Sequence, residues 1–366
     1  MMPLFDHYPL LREKLPYISL GDFPTPIEKL DRLSKEIGVN HLYIKRDDLS
    51  GRTYGGNKVR KLEFILAQAQ RLKVKEILTF GGAGSNHALA CAIYAQQVGL
   101  KSISMLLPQP NAHYVRRNLL ASHYYGAELH QYRNILLLAL GTIYQRLRHK
   151  LKYGYVLQVV PFGGSSPLGV IGFVNAAFEL KNQVREGKIP EPDRIYVALG
   201  SNGTAVGLML GLKAAGLKSK VISVRVTDEK FANPTKITKL FYRTNSLLHR
   251  QDPSFPEFKI SRKELNIRHE FFGQRYALFT KEGIEAIIHL EKTEGIKLEG
   301  TYTGKTFAAL IDDAAKQDLK DEVIVFWNTH NSRSFSEVVI TLDYHQLPRC
   351  FHGYFEEEVQ PLDQGW

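Results

Sequence analysis

Short unbroken apolar runs alternate along this chain with longer segments in which apolar residues recur every three or four positions. The runs at 42–45, 76–80, 102–107, 128–130, 155–159, 194–199, 221–226 and 323–327 predict strands, most of them buried on both faces. The periodic segments at 88–98, 114–125, 135–150, 168–185, 205–215, 281–294 and 305–315 predict helices. Val59, Leu62, Ile65, Leu66 and Ala69 add another that begins at residue 58. Regular alternation of this kind predicts a parallel α/β architecture. Residues 227–268 read as a basic, partly irregular stretch, and no internal repeat or low-complexity tract interrupts the pattern.

At 366 residues the chain exceeds one ordinary core, which predicts two domains. The breaker-rich segment Pro161-Phe162-Gly163-Gly164-Ser165-Ser166-Pro167 is a natural crossing point between them. A composition 44% hydrophobic and 23% charged is that of a folded globular protein. Cys91 and Cys350 are the only cysteines and have no metal-type spacing, so neither a disulfide framework nor a metal site is expected, and a reducing cytoplasm fits. No basic-then-apolar leader opens the sequence, and the longest apolar run, 135–140, is too short to span a bilayer, so no membrane partner is expected. The net charge of +11 raises the question of nucleic acid. The excess is concentrated between Lys230 and Arg268, where nine basic residues face three acidic ones without any RNA-binding motif, and reads as a solvated face.

Three strand-to-helix junctions carry candidate chemistry. Gly55-Gly56-Asn57-Lys58 places a lysine on the first turn of a helix with a buried side, where its amine is held in place and can form a Schiff base. Gly81-Gly82-Ala83-Gly84-Ser85-Asn86-His87 forms a second such mouth. Gly200-Ser201-Asn202-Gly203-Thr204 presents backbone N–H groups and a helix N-terminus to an anion, as a phosphate cradle or as a plain turn. It lacks the glycine and lysine spacing of the common ATP and dinucleotide loops.

Taken with Leu20-Gly21-Asp22-Phe23-Pro24-Thr25-Pro26, Ile44-Lys45-Arg46-Asp47-Asp48 and Tyr302-Thr303-Gly304-Lys305, these stretches resemble one group of pyridoxal-5′-phosphate enzymes. It is the D-cysteine desulfhydrase and 1-aminocyclopropane-1-carboxylate deaminase family of the tryptophan synthase β-subunit fold. The resemblance covers most of the chain. It implies two α/β domains, each an open, mostly parallel twisted sheet with helices on both faces, known as fold type II. The large cofactor-binding domain would take residues 1–58 and 166–366, and the small substrate-carboxylate domain 59–165. It further implies that Lys58, with Asn57 beside it, holds pyridoxal 5′-phosphate, and that Gly200, Ser201, Asn202, Gly203 and Thr204 take its phosphate. Ser85, Asn86 and His87 would meet the substrate carboxylate, Tyr276 and Tyr302 would line the reacting atoms, and Thr303 or Thr329 would face the ring nitrogen. A homodimer is implied too.

The same residues satisfy the chemistry independently. Removing an α-proton from an amino acid needs an electron sink, an amine base and a fixed carboxylate, and Lys58, Ser85 and the tyrosines are suited to the last two tasks and to protonating a leaving group. Without the joint pattern, Ser85 would read as a helix N-cap and the tyrosines as core residues. The expected activity is a lyase reaction on a small amino acid by α-proton removal and β-elimination, with D-cysteine as the leading substrate. The alternatives are the cyclopropane deaminase and, from another class, a catalytically silent binding protein. The family's Gln-Ser-Asn-His-Ala-Arg is Gly84-Ser85-Asn86-His87-Ala88-Leu89 here, and its terminal His-Thr-Gly-Gly is replaced within Asn328-Thr329-His330-Asn331-Ser332. The Pro-Asn after the first tyrosine is replaced by Phe279-Thr280. The substrate side is therefore altered. The acidic, aromatic tail from Phe351 to Trp366 is expected to be a surface segment without a chemical role.

Overall fold

The computed structural model describes residues 2–364. In chain order the strands are β1 (Ile27–Lys29), β2 (His41–Lys45), β3 (Glu76–Gly82), β4 (Lys101–Leu107), β5 (Glu128–Gln131) and β6 (Gln158–Val160). They continue with β7 (Arg194–Leu199), β8 (Lys220–Arg225), β9 (Asn266–Arg268) and β10 (Val323–Trp327). The long helices are α1 (Lys58–Arg71), α2 (Asn86–Gln97), α3 (His113–Tyr124), α4 (Ile135–Tyr153) and α5 (Pro167–Arg185). After them come α6 (Gly203–Ala215), α7 (Pro234–Gln251), α8 (Lys281–Glu294) and α9 (Thr303–Lys316).

The chain divides into two compact units. The first runs up to Leu15 and through Gly21–Lys61 and Ser165–Arg333. The second takes Pro16–Leu20, Leu62–Gly164 and everything from Ser334 on. The C-terminal segment, grouped with the larger unit in the sequence reading, thus groups with the smaller one. The reason is polar: Asn111 and Arg116 donate to the carbonyls of Tyr354 and Glu357, and the backbone N–H of His113 donates to Asp363. These partners are some 240 positions apart in sequence and leave no local signal. The last two residues of the tail lie outside the described residues.

In the first unit six strands run in the order β1-β2-β10-β7-β8-β9, parallel throughout except for the antiparallel edge pair β1 and β2. All five residues of β10 are buried, and Leu42, Ile44, Tyr196, Phe307, Ile324 and Phe326 belong to one core on this sheet. Parallel strands buried on both faces read as continuous apolar runs, which is why the pattern found them. Edge strands β1 and β9 are three residues long and polar, and periodicity misses both. Helix α7 occupies the stretch read as partly irregular; its buried Ile237, Phe241, Thr244, Asn245 and Leu248 lie on one face, and Asn233 caps it. The second unit is a four-stranded parallel sheet, β5-β4-β3-β6, with Leu78, Ile103, Met105, Leu138 and Leu157 in its core.

Beneath the sheet of the first unit lies a fully enclosed ion network. Arg60 on α1 donates to both oxygens of Asp47 (2.7 and 3.0 Å) and to both of Glu179 on α5 (2.9 and 3.0 Å). Lys45 donates to Glu179 at 2.6 Å and Trp327 to Asp47 at 2.8 Å. Burial by itself would raise the Glu179 carboxyl, but the charges of Arg60 and then Lys45 win and hold it at about 2. Its ionised form therefore contributes stability that is complete above the usual carboxylate range and is lost as pH falls toward 2. Glu179→Ala should leave Lys45 without a carboxylate and Arg60 with only Asp47, and cost about 3–5 kcal/mol. Urea unfolding of the variant beside the wild type measures it, and a loss below about 1 kcal/mol would mean that water reaches the network.

Candidate active site

In the first unit β10 lies between β2 and β7, with Trp327 opposite Lys45 and Phe326 opposite Tyr196. The loops that leave the carboxyl ends of these parallel strands therefore emerge side by side, the usual place for a ligand in such a sheet. The loop after β2 carries Gly55 to Lys58, the loop after β7 carries Gly200 to Asn202, and the loop after β10 carries Thr329.

Lys58 is the first residue of α1 and half-buried. Its entry is set by Gly56, at φ +87°, whose N–H donates to the Asp47 carbonyl at 2.7 Å. A Cβ here would stand 2.7 Å from the His330 carbonyl oxygen and 2.9 Å from that of Thr329, so only glycine passes. Asn57 ties the three loops together: its backbone N–H reaches the Thr329 carbonyl, and its side chain donates to the Thr204 hydroxyl at 3.0 Å.

The junction after β7 gathers donors at a helix N-terminus. Asn202 takes a left-handed conformation (φ +70°) and turns the chain into α6, a helix of 13 residues that starts at Gly203. The hydroxyls of Ser201 and Ser165 meet at 2.8 Å, the Gly203 N–H donates to Ser165 at 3.1 Å, and the Lys61 ammonium donates to the same oxygen at 3.3 Å. Burial, and then the neighbouring charge of Lys58, push the Lys61 ammonium well below the usual lysine range. A Cβ on Gly203 would come within 2.5 Å of Ser165 Oγ and 2.8 Å of Lys61 Nζ. A buried ammonium, two hydroxyls and a helix N-terminus converging on one place fit a phosphate. Sequence reasoning passed over Lys61 and Ser165, although Lys61 follows Lys58 by three positions and so shares its helix face.

Tyr276 and Tyr302, 26 positions apart, share a hydrogen bond between their hydroxyls, with ring centroids 6.2 Å apart. Gly200 lies against the Tyr302 ring, at 3.6 Å from its own ideal Cβ position. Burial, helped by the charge of Glu299 and opposed by the hydrogen bond with Tyr302, pushes the Tyr276 phenol up to about 12, so it stays protonated. Ala277 beside it sits at φ +62°, a strained position for a residue with a Cβ. Two groups to which the sequence reading gave no role, the buried Lys305 and the half-buried Glu299, hold this pair. Lys305 donates to the carbonyls of Phe272 and Leu278 (2.7 and 2.6 Å), clasping the loop that bears Tyr276; burial lowers its ammonium to about 8, against the pull of Glu299. Glu299 accepts the N–H groups of Thr301, Tyr302 and Thr303 at 2.7–2.9 Å and so caps α9. Thr303 is buried, and its hydroxyl accepts the Glu299 N–H at 2.9 Å.

In the second unit Ser85 caps α2, its hydroxyl accepting the Ala88 N–H at 3.2 Å. Asn86 accepts from Asn118 of α3 at 2.8 Å, and Asn118 also donates to the Gly84 carbonyl. His87 is buried on the inner side of α2, with Nε2 3.6 Å from Cys91 Sγ. A Cβ at Gly84 would clash with Val115 and Tyr114, and the Gly84 N–H donates to the side chain of Gln109, itself bonded to the Tyr114 hydroxyl. The space a larger residue would take at 84 is filled by α3 and the loop before it.

Known proteins resemble this chain over most of its length. The family described as pyridoxal-phosphate dependent enzyme matches residues 18–330. The chain belongs to that family. It is 32% identical to the D-cysteine desulfhydrase of Klebsiella pneumoniae over 313 residues, covering 84% of this chain and 92% of that protein. It is also 32% identical over 315 residues to a Pyrococcus abyssi protein provisionally named a 1-aminocyclopropane-1-carboxylate deaminase, covering 86% and 91% of the two chains. A solved structure titled as an ACC deaminase homologue superposes with a TM-score of 0.77 at 29% identity, over 93% of this chain and 99% of that one. The processed threonine deaminase isoform 2 of Solanum lycopersicum shares the fold, with a TM-score of 0.57 at 19% identity over 92% and 90%. This is a pyridoxal-phosphate-dependent enzyme of the D-cysteine desulfhydrase and ACC deaminase family, with the two mostly parallel α/β sheets of fold type II.

The cradle yields a test that does not need turnover. Pyridoxine 5′-phosphate keeps the phosphate but cannot condense with Lys58, so its affinity reports the cradle alone. A phosphate dianion favours the charged form of Lys61, whose pKa is depressed in the cofactor-free protein. Affinity should therefore fall as pH rises through that depressed value, and Lys61→Gln should flatten the profile. Gly203→Val should weaken binding by about 1–3 kcal/mol through overpacking. Titrations of the cofactor-free protein at several pH values measure both effects.

Proposed function

We propose that the enzyme is a D-cysteine desulfhydrase-like lyase, converting D-cysteine and water to pyruvate, hydrogen sulfide and ammonia. The observation that carries the reading is the hydrogen-bonded pair Tyr276 and Tyr302, with Tyr276 kept protonated by burial and the Tyr302 ring against Gly200 in the loop after β7. Pyridoxal phosphate, when bound, supplies the electron sink that makes an α-proton removable. The Lys58 amine is the base for that proton, and the start of α1 holds it in one direction. Ser85 and the N–H groups that open α2 are suited to the substrate carboxylate, since a helix N-terminus favours an anion. The tyrosine pair donates a proton to the departing sulfur, so the Cβ–S bond breaks to a neutral thiol. Ser201, Gly203 and Thr204 hold the cofactor phosphate and take no part in moving protons.

Support for a thiol leaving group over ring opening comes from position 303. A threonine there cannot stabilise a protonated ring nitrogen as a carboxylate would, and its hydroxyl is already engaged by Glu299. Opening a cyclopropane without an ordinary leaving group needs a deep sink, whereas a thiol carries off charge as it departs. Purified enzyme given D-cysteine should release sulfide and pyruvate in equal amounts and should form little 2-oxobutyrate from 1-aminocyclopropane-1-carboxylate. Efficient 2-oxobutyrate formation without sulfide would reverse the assignment, and inactivity on both would move attention to the altered loop at Gly84 and Leu89. Lys58→Ala should abolish the visible absorption of the bound cofactor and lower turnover at least about 10²-fold, the scale of a lost general base. Thr303→Glu should shift that absorption and reduce elimination.

A further inference from the structure

Helix α4 is turned inside out. The side chains it buries are Leu138, Gln145 and His149, two of the three polar. Gln145 bonds to His130 at 3.0 Å, Arg148 reaches Glu128 at 3.1 Å, and His149 pairs with Glu76. Its outer face carries Leu136, Leu140, Ile143, Tyr144, Leu147 and Leu151, between 54% and 87% exposed. At about 100° per residue these six fall within an arc of about 100° centred near Leu147. Arg146 and Lys150 lie along one margin of that stripe, Arg148 and Lys152 along the other, and the helix contains no aspartate or glutamate. A shallow groove of about 680 Å³, lined by Tyr132, Leu137, Leu140 and Tyr144 with Arg133 among them, runs beside its first turns.

We propose that α4 is a docking surface for an anionic lipid bilayer, lying flat in it with the leucine stripe at the boundary of headgroups and acyl chains. An apolar stripe bordered on both sides by cations matches an interface that is apolar below and negative above. A second copy of the chain is the poorer partner. Two such helices packed on their stripes would bring arginines and lysines together with no carboxylate on either helix to pair with them. This is a surface contact, not a span, since among the described residues no helix is long and apolar enough to cross a membrane. It departs from the absence of a membrane partner expected from the sequence, and it is independent of which amino acid the enzyme uses.

Co-sedimentation of the cofactor-loaded enzyme with vesicles tests it. The wild type should bind vesicles of phosphatidylcholine with phosphatidylglycerol, bind phosphatidylcholine alone far less, and be released by salt. Replacing leucine on the stripe, as Leu147→Asp with Leu151→Asp, should abolish binding while the visible absorption of the cofactor reports an intact fold. Should that pair misfold, Arg146→Gln and Lys150→Gln leave the stripe untouched and should each weaken binding about fivefold, about 1 kcal/mol per cation. A wild type that ignores the anionic vesicles overturns the proposal. So does a wild-type dimer that the two aspartates split into monomers, which would make the stripe a contact between copies.

Discussion

Asp47 is the residue on which the first unit hangs. Fully buried just beyond the end of β2, it binds the Arg60 guanidinium, the Trp327 indole and the Thr25 hydroxyl through its side chain, and the Gly56 N–H through its carbonyl. Those partners belong to four segments that together fix the direction of Lys58: the first turn of α1, the end of β10, the loop between β2 and α1, and the stretch just before β1. Glu179 completes the charge balance from α5, and Lys45 and Gln183 satisfy what remains. A buried network of this kind is worth little as a net source of stability, because the cost of desolvating four charges offsets most of their attraction. What it imposes is geometry, since any rotation of α1 breaks several charge-assisted hydrogen bonds at once.

The site uses burial in two opposite ways. At the proposed phosphate cradle the Lys61 amine is buried where its charge is disfavoured, so that a phosphate dianion bound there would favour its protonated form. At the tyrosine pair burial keeps Tyr276 neutral, which suits the proton-donor role proposed for it. Lys305 and Glu299 serve the second arrangement without entering it: one clasps the loop bearing Tyr276, and the other caps the helix beginning after Tyr302. Their charges also favour each other across the protein interior, as the opposing pulls on their titration indicate.

Helix α4 follows the reverse logic from the rest of the chain. Elsewhere apolar positions mark the inner face; here the inner face is drawn to Glu76, Glu128 and His130, and the leucines are left outside. What distinguishes this element from an ordinary surface helix is the apolar stripe on its outer face.

The sequence by itself determined the alternating strands and helices, because parallel strands covered on both faces are continuous apolar runs and need no partner to be recognised. It also marked the three glycine-bearing junctions, since a strand that turns directly into a helix leaves a local signature. Tertiary structure alone decided the rest. That Lys61 and Ser165 meet at Gly203, that Lys305 holds the loop of Tyr276, and that Gln109 and α3 fill the space beside Gly84 are contacts between polar groups well separated along the chain. The same holds for the segment after Ser334, bound to the second unit by carbonyls and a carboxylate that periodicity does not see. Hydrophobic spacing reports which face of an element is buried, and in α4 it reports the wrong one. Which polar groups meet there depends on the order in which strands lie side by side, and that order is a property of the folded sheet.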